Sequence, residues 1–265
     1  MLETTLLKVK HDGEINAKCL FPYIERAHVY SPESCFTTEE DAVECELFWE
    51  EKLLSEEKKV NSLKELSEAT ENYEFGSFAL EEHKYLLERG IPLWHLERFS
   101  KEKATELEAR FEEAESSLSK AFTRLSEGKL DLYLELADCY FKGIVDHIIV
   151  RDQEIARNLR DAEERIRKRY PSLENNDLLQ LVTAIGSLHS PEEFIPDVKV
   201  VILNSMDYEA TLVSNYKKSI KQGEAFANRI PTILKFGLSN LSLSPNEIEE
   251  FADSELYAVL GSYAR

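Results

Sequence analysis

The chain has 265 residues, of which 43 % are apolar, so it is long enough to bury a sizeable core in one or two domains. Its 51 acidic and 32 basic residues give a formal net charge of −19, which disfavours binding to nucleic-acid phosphates or to an anionic membrane surface. No stretch is apolar enough to span a bilayer, and the first five residues lack the features of a signal peptide, so we expect a cytoplasmic protein.

The beginning of the chain alternates short apolar runs with a helical pattern. Residues 4–10 predict a first strand that ends at His11. A near-helical spacing of apolar residues over 14–26 predicts a helix. Residues 27–31 predict a second short strand, which ends just before Glu33. The order strand, helix, strand is the unit from which parallel sheets are built.

Two helical patterns and a third apolar run come next. Residues 38–70 are rich in Glu, Lys and Leu and predict a helix, with Thr38 and Asp41 as an N-terminal capping pair. Residues 78–89 predict another helix. The apolar run over 91–96 then predicts a third strand, in which a proline near the beginning is tolerated.

The middle of the chain has the pattern of long helices followed by strands. Three separate helices are predicted at about 100–126, 130–140 and 145–170. The apolar run over 178–185 predicts a buried strand, and the β-branched run over 198–203 predicts a further one.

The last part of the chain predicts two or three helices, one of which begins with Ser244 as the cap and Pro245 at the first helical position. Taken together, these elements predict an α/β fold with a mostly parallel central sheet flanked by helices. We expect a single domain over 1–265, with a helical insertion at about 100–145 and a C-terminal helical extension at about 206–265.

Four residues are candidates for a functional site. The tetrapeptide Gly186-Ser-Leu-His189 closes the apolar run with a glycine turn, and a histidine there can accept a proton or bind a metal ion. His11 and Glu33 also follow predicted strands, and Arg151 lies on a predicted helix. Because ligands of α/β folds bind at the carboxyl ends of parallel strands, we expect these four side chains to face one crevice.

Several short motifs occur in a characteristic order. His11 and Glu33 are 22 residues apart, and three segments follow them: Gly90-Ile-Pro-Leu-Trp-His-Leu-Glu-Arg98, Arg151-Asp-Gln-Glu-Ile-Ala156 and Ile185-Gly-Ser-Leu-His189. In this order and spacing, the chain resembles the TraB/PrgY, Tiki and erythromycin-esterase/ChaN-like superfamily over about residues 5–205. Glu97 and Ile155 replace an Asp and a Met of that superfamily's pattern, and one further departure is more serious. The first Gly-x-x-His motif reads Lys8-Val-Lys-His11, which implies an altered site because glycine there would permit a tight turn or a close ligand.

The resemblance implies hydrolysis of an ester or peptide-type bond, with or without the help of a divalent metal ion. His11 or His189 would be the general base or a metal ligand, and Glu33 would orient a histidine or water or bind the metal. Arg151 would stabilise a carboxylate or an oxyanion. Both a hydrolase and a metal ion at His11, Glu33 and His189 are therefore expectations from the resemblance.

Each of these residues also has a plainer interpretation. His189 could be a surface or capping residue beside a strand, and His11 an exposed residue at a strand end. Glu33 could cap a helix, and Arg151 and Asp152 could form an ordinary pair on a helix surface.

Three hypotheses about function remain open at this point. The first is a hydrolase, and the second is a catalytically degenerate protein that binds a small ligand, a peptide or a partner protein in the same crevice. The sequence leaves the oligomeric state open, a homo-oligomer included. A third hypothesis is an interaction protein that uses its acidic helices as a docking surface.

Overall fold

The computed structural model contains a four-stranded parallel sheet that is flanked by helices. The structure describes residues 1–9, 17–32, 37–55, 57–58, 60–61, 64, 76–195, 197–203, 208–241, 243–251 and 253–263. In chain order the strands are β1 (Leu2–Val9), β2 (Val29–Ser31), β3 (Leu179–Gly186) and β4 (Lys199–Ile202). They lie side by side in the order β2-β3-β1-β4, and every pairing between them is parallel. The predicted α/β fold is therefore confirmed.

Helices make up most of the remaining described residues. They are α1 (Phe21–Ile24), α2 (Glu39–Leu53), α3 (Gly76–Arg89), α4 (Lys101–Ser126), α5 (Leu130–Arg169), α6 (Tyr208–Lys221), α7 (Phe226–Ser239), α8 (Pro245–Glu249) and α9 (Asp253–Tyr263). Short 3-10 turns cover Ala17–Cys19, Pro171–Leu173 and Pro191–Glu193. Within the described residues, no helix combines the length and the apolar character that are needed to cross a membrane.

The chain divides into two compact units. The first, here called the sheet unit, comprises Met1–Ala104 and Arg151–Ser205. The second, here called the helical unit, comprises Thr105–Val150 and Met206–Arg265. The expectation of a single domain over all 265 residues stays a prediction.

The two faces of the sheet carry separate apolar cores because successive strand residues point to opposite sides. Leu6 of β1 belongs to the core on one face, where it packs with Ile155 and Leu159 of α5. Leu7 belongs to the core on the other face, together with Trp49 of α2. The sheet is thus covered on both faces, as parallel sheets usually are.

The helical unit has a core of aromatic side chains and one buried polar cluster. The rings of Phe141 and Tyr216 stack with their centroids 4.7 Å apart. The Tyr216 hydroxyl also donates to the carboxylate of Asp138, which accepts a second bond of 3.2 Å from Arg229 Nε. These contacts join α5, α6 and α7.

The capping predictions are confirmed. Thr38 accepts from the backbone of Asp41, and the Asp41 side chain accepts from the backbone of Thr38, which completes a capping box at the beginning of α2. Ser244 forms the same reciprocal pair with Glu247, and Pro245 stands in the first turn of α8.

Several element bounds differ from the predictions. The helix predicted over 14–26 is reduced, in the described residues, to the turn at Ala17–Cys19 and the short helix α1. The helix predicted from residue 38 begins as expected, but α2 ends at Leu53. After residue 207 there are four helices in the described part, not two or three.

The predicted strand over 91–96 is wrong. Leu93 forms only an isolated parallel bridge with Tyr30 of β2. Three residues later, the Leu96 amide donates to the hydroxyl of Ser31 at 3.1 Å instead of to a strand carbonyl. A side chain has therefore taken a hydrogen bond that a strand ladder would need.

The predicted break between the helices at 130–140 and 145–170 is also wrong, since α5 runs without interruption from Leu130 to Arg169. Gly143 lies within it, where a Cβ atom would stand only 2.8 Å from Cβ of Ala114 on α4. The glycine therefore permits close packing of the two helices and does not end one of them.

Candidate functional site

His189 lies where the sequence places it, in the turn that follows the buried strand β3. The turn is closed by a 3.0 Å hydrogen bond from the His189 amide to the Gly186 carbonyl. It is also tied to the neighbouring strand, because the Ser187 amide donates to the Val9 carbonyl at 2.9 Å. His189 is 4 % exposed, so the interpretation of this histidine as a surface residue is wrong.

Asp152 of α5 holds the ring of His189. His189 Nδ1 lies 2.7 Å from Asp152 Oδ1, and the second carboxylate oxygen accepts from the Ser190 amide at 2.9 Å. Because an ionised carboxylate only accepts hydrogen bonds, the proton of this bond belongs to Nδ1. In the neutral form of such a ring the lone pair is on Nε2, which is the nitrogen that can take a proton or bind a metal ion.

Arg151, the neighbour of Asp152, makes a different contact. Its guanidinium donates to both oxygens of Glu97, from Nε at 2.8 Å and from Nη2 at 2.7 Å. Both residues are buried, and Asn158 of the same helix donates to the Leu96 carbonyl at 2.7 Å. The interpretation of Arg151 and Asp152 as a surface pair on one helix is therefore wrong, since each is buried and bonded to another part of the chain.

Lys8 at the end of β1 forms a third acid–base pair at the same edge of the sheet. Its Nζ lies 2.5 Å from Glu192 Oε1, in the 3-10 turn that follows His189. The Lys8 side chain is only 10 % exposed, and that of Glu192 is 27 % exposed. The residue that departs from the resembled motif is thus engaged with the same turn that carries His189.

We call these three pairs together the carboxyl-edge cluster. Neighbouring residues of α5 supply Arg151 and Asp152, and one turn after β3 bonds to both Asp152 and Lys8. The members of the cluster are Lys8, Glu97, Arg151, Asp152, His189 and Glu192. Each basic group in the cluster faces its own carboxylate.

The structure therefore brings together two of the four predicted site residues. Arg151 and His189 both belong to the carboxyl-edge cluster, and Asp152 joins them. His11 and Glu33 lie outside the described residues, each two positions beyond the end of a strand. Among the residues that the structure describes, no three His, Cys, Asp or Glu side chains are grouped so as to hold a metal ion.

Sequence reasoning missed the role of Asp152, although a signal for it exists. The apolar positions of α5 that face the sheet recur at three- and four-residue steps: Ile155, Leu159, Ala162 and Ile166. Extending this spacing by three residues towards the N-terminus reaches Asp152. A carboxylate on an otherwise apolar stripe is expected to have a buried partner.

His95 precedes Glu97 of the cluster by two residues, but its ring is not paired with a carboxylate. It is 8 % exposed, and neither ring nitrogen has a hydrogen-bond partner among the described residues. Burial, helped by the charges of Arg98 and His83, lowers the pKa of His95 to about 4. The ring is therefore neutral at physiological pH.

The backbone next to the His95 ring is fixed by a buried ion pair. The His95 amide donates to Glu46 Oε1 at 2.8 Å, and the same carboxylate accepts from the guanidinium of Arg98. Burial raises the pKa of Glu46 even though Arg98 opposes this effect. This arrangement favours a structural role for His95.

Comparisons of the chain with family models, with curated proteins and with solved structures gave no match. The resemblance to the TraB, Tiki and erythromycin-esterase-like superfamily therefore stays a prediction that depends on the short motifs alone.

Proposed function

We propose that this protein is a hydrolase for an ester or peptide-type bond, in which His189 is the general base. One observation carries the proposal: the ring of His189 is oriented by Asp152, through a 2.7 Å contact at Nδ1. A buried carboxylate that fixes one imidazole nitrogen leaves the other as the proton acceptor, which is the arrangement that activates water or a hydroxyl in many hydrolases.

The surroundings of the pair support this role. The Ser190 amide holds the second oxygen of Asp152 at 2.9 Å, so the carboxylate cannot rotate without losing a bond. The turn lies at the carboxyl end of β3, where α/β folds commonly bind their ligands. The substrate in this proposal is a small molecule or a peptide.

Arg151 has a narrower role in the proposal than the resemblance implies. Its guanidinium already holds both oxygens of Glu97, so we assign it to the fixing of Glu97 against α5. Asp152 is the next residue of α5, so the pair that fixes this helix turn also positions Asp152. Arg151 thus orients the site and is not assigned to an oxyanion.

Of the three expected metal ligands, His189 is the one that lies among the described residues. A histidine that donates one ring N–H to a carboxylate is a common metal ligand through its other nitrogen. The other two expected ligands, His11 and Glu33, lie outside the described residues. A metal bound there would polarise water, and the general-base role of His189 does not require it.

A second candidate function, a binding protein without catalytic activity, is favoured by a specific observation. Lys8 and Arg151 are each paired with a carboxylate of this chain, and His189 is buried. Because these cations are already paired within the chain, they can stabilise less negative charge on a reacting substrate than unpaired cations could. Ligand binding without turnover would favour this candidate.

The experiment that separates the two candidates measures hydrolysis of nitrophenyl esters and fluorogenic peptides by the whole chain, with and without added Zn²⁺ or Mn²⁺. The test variant is His189→Asn, because the asparagine amide can still donate to Asp152 while it removes the base. The matched control is His147→Asn, a histidine of similar burial in the helical unit. Activity that is lost only in the first variant supports the proposal, and absence of hydrolysis by the unmodified chain overturns it.

A further inference from the structure

A small cleft lies on the sheet unit at the amino-terminal ends of the strands, whereas His189 lies at their carboxyl ends. It has a volume of about 270 Å³ and is formed where the amino-terminal halves of β1 and β3 meet the beginning of β4 and the end of α1. The strand residues that line it point to the face that α1 covers, because they alternate with residues of the other core. Its lining residues are Glu3, Thr5, Tyr23, Arg26, Gln180 and Lys199, together with Pro22 and Val182.

Two cations in this cleft differ from most others in the chain. The side chains of Arg26 and Lys199 form neither an ion pair nor a hydrogen bond in the part of the chain that the structure describes. Other arginines of the sheet unit, such as Arg89, Arg98 and Arg151, are paired with carboxylates. Among the described arginines, Arg26 is the one whose side chain has no such bond, and Lys199 lines the same cleft.

The remaining polar groups of the cleft suit a negatively charged ligand. Thr5 and Tyr23 supply hydroxyl groups, and Gln180 supplies an amide. Glu3 is the one acidic residue in the lining, and the side-chain amide of Gln180 donates to its carboxylate at 3.5 Å. The lining therefore carries two positive charges and one negative charge, with neutral donors between them.

We propose that this cleft binds a small organic anion that carries a phosphate or carboxylate group. Arg26 would hold the oxyanion through its planar donor fork, and Lys199 would add a second positive charge. The volume limits the ligand, because pockets for drug-sized molecules begin at roughly 300 Å³. A compact anion fits, whereas a dinucleotide or a folded peptide does not. This site is independent of the proposed hydrolase, since it shares no residue with the carboxyl-edge cluster.

Calorimetric titration of the whole chain with inorganic phosphate and, separately, with citrate tests the proposal at constant ionic strength. The two probes distinguish a phosphate ligand from a carboxylate ligand. Arg26→Gln and Lys199→Met should each weaken binding of the preferred probe by about tenfold, the loss of one charge-assisted contact. Glu3→Gln should strengthen it, because a like charge is removed. Since Arg26 and Lys199 are exposed, these variants are expected to fold.

The control is Lys120→Met, which removes an exposed lysine from α4 in the helical unit. It changes the net charge by the same amount as Lys199→Met and should leave the dissociation constant unchanged. No saturable binding of either probe would overturn the proposal. Binding that all four variants leave unchanged, or that Lys120→Met weakens as much as Lys199→Met, would overturn it as well.

Discussion

Lys8 Nζ lies 2.5 Å from Glu192 Oε1, so the end of β1 is joined to the turn that carries His189. A glycine is expected at position 8 from the resemblance, and the lysine there implies an altered site. The structure shows that the lysine has a definite partner at that edge of the sheet. The contribution of this lysine to the free energy of unfolding can be measured without knowing a substrate.

A double-mutant cycle on Lys8 and Glu192 should give a coupling free energy of about 1–2 kcal/mol, because the pair is largely shielded from water. The variants are Lys8→Met, Glu192→Gln and the combination, each unfolded in urea. The control cycle uses Lys58 and Glu51, whose side chains are 45 % and 62 % exposed at a similar separation of 2.6 Å. Equal coupling in the two cycles would contradict a special role for Lys8.

Arg151→Met should lower the free energy of unfolding by about 3 kcal/mol, because it leaves the Glu97 carboxylate buried without its bidentate partner. Arg151→Lys should recover only part of the loss, since an ammonium cannot donate along two parallel bonds. The combined variant Arg151→Met with Glu97→Met should be more stable than Arg151→Met alone. Denaturant unfolding of the three variants measures these differences, and an Arg151→Met variant as stable as the parent would refute the assignment.

His95 should make the protein less stable in acid. Its pKa is about 4 in the folded chain, against 6.5 for a free histidine, so the unfolded chain binds the additional proton as the pH falls below 6.5. The stability linked to the neutral ring is fully present above pH 6.5 and is lost as the pH falls towards 4, a change of about 3 kcal/mol.

His95→Leu should remove this pH dependence. It should also stabilise the protein by about 1 kcal/mol at pH 8, because two buried ring nitrogens without partners are replaced by apolar atoms. His28→Leu is the contrasting control. His28 Nδ1 accepts a hydrogen bond from the backbone amide of Gln180 at 3.0 Å, and loss of this bond should be destabilising. The difference between parent and variant in urea midpoints at pH 8 and pH 5 measures both effects. A His95→Leu variant whose stability changes with pH as steeply as the parent's would show that His95 is not responsible.

Gly143→Ala should destabilise the helical unit by about 1–3 kcal/mol, because the added Cβ would stand 2.8 Å from that of Ala114. Combination with Ala114→Gly should restore stability, since the second change removes the colliding atom. Thermal unfolding of the single and double variants checks the prediction. If Ala114→Gly made the Gly143→Ala variant less stable still, close packing of α4 and α5 at this point would be refuted.

Local signals predicted the position of His189 and the beginnings of two helices. The apolar run before Gly186 predicts a buried strand, and the Thr38–Asp41 and Ser244–Pro245 pairs predict caps, because each effect acts within a few residues. These features are present in the structure.

Long-range partners decided the predictions that failed. Whether 91–96 forms a strand depends on where its amide groups find acceptors, and Ser31 supplies one of them from a side chain. The glycine at position 143 is explained by close contact with Ala114, which lies 29 positions earlier on another helix. Asp152 and His189 are 37 positions apart, so their contact follows from the sheet topology and not from any local motif.

The most direct test of the central claim is the dependence of kcat/KM on pH for hydrolysis by the parent chain and by Asp152→Asn. If Asp152 orients His189 as the base, the parent should have the higher kcat/KM throughout the pH range, because only in the parent does a carboxylate accept the Nδ1 proton of the ring. In Asp152→Asn, kcat/KM should then be about 10³–10⁴-fold lower, since the wrong imidazole tautomer is favoured. A folded Asp152→Asn variant that hydrolyses the same substrate at the parent rate would contradict the account.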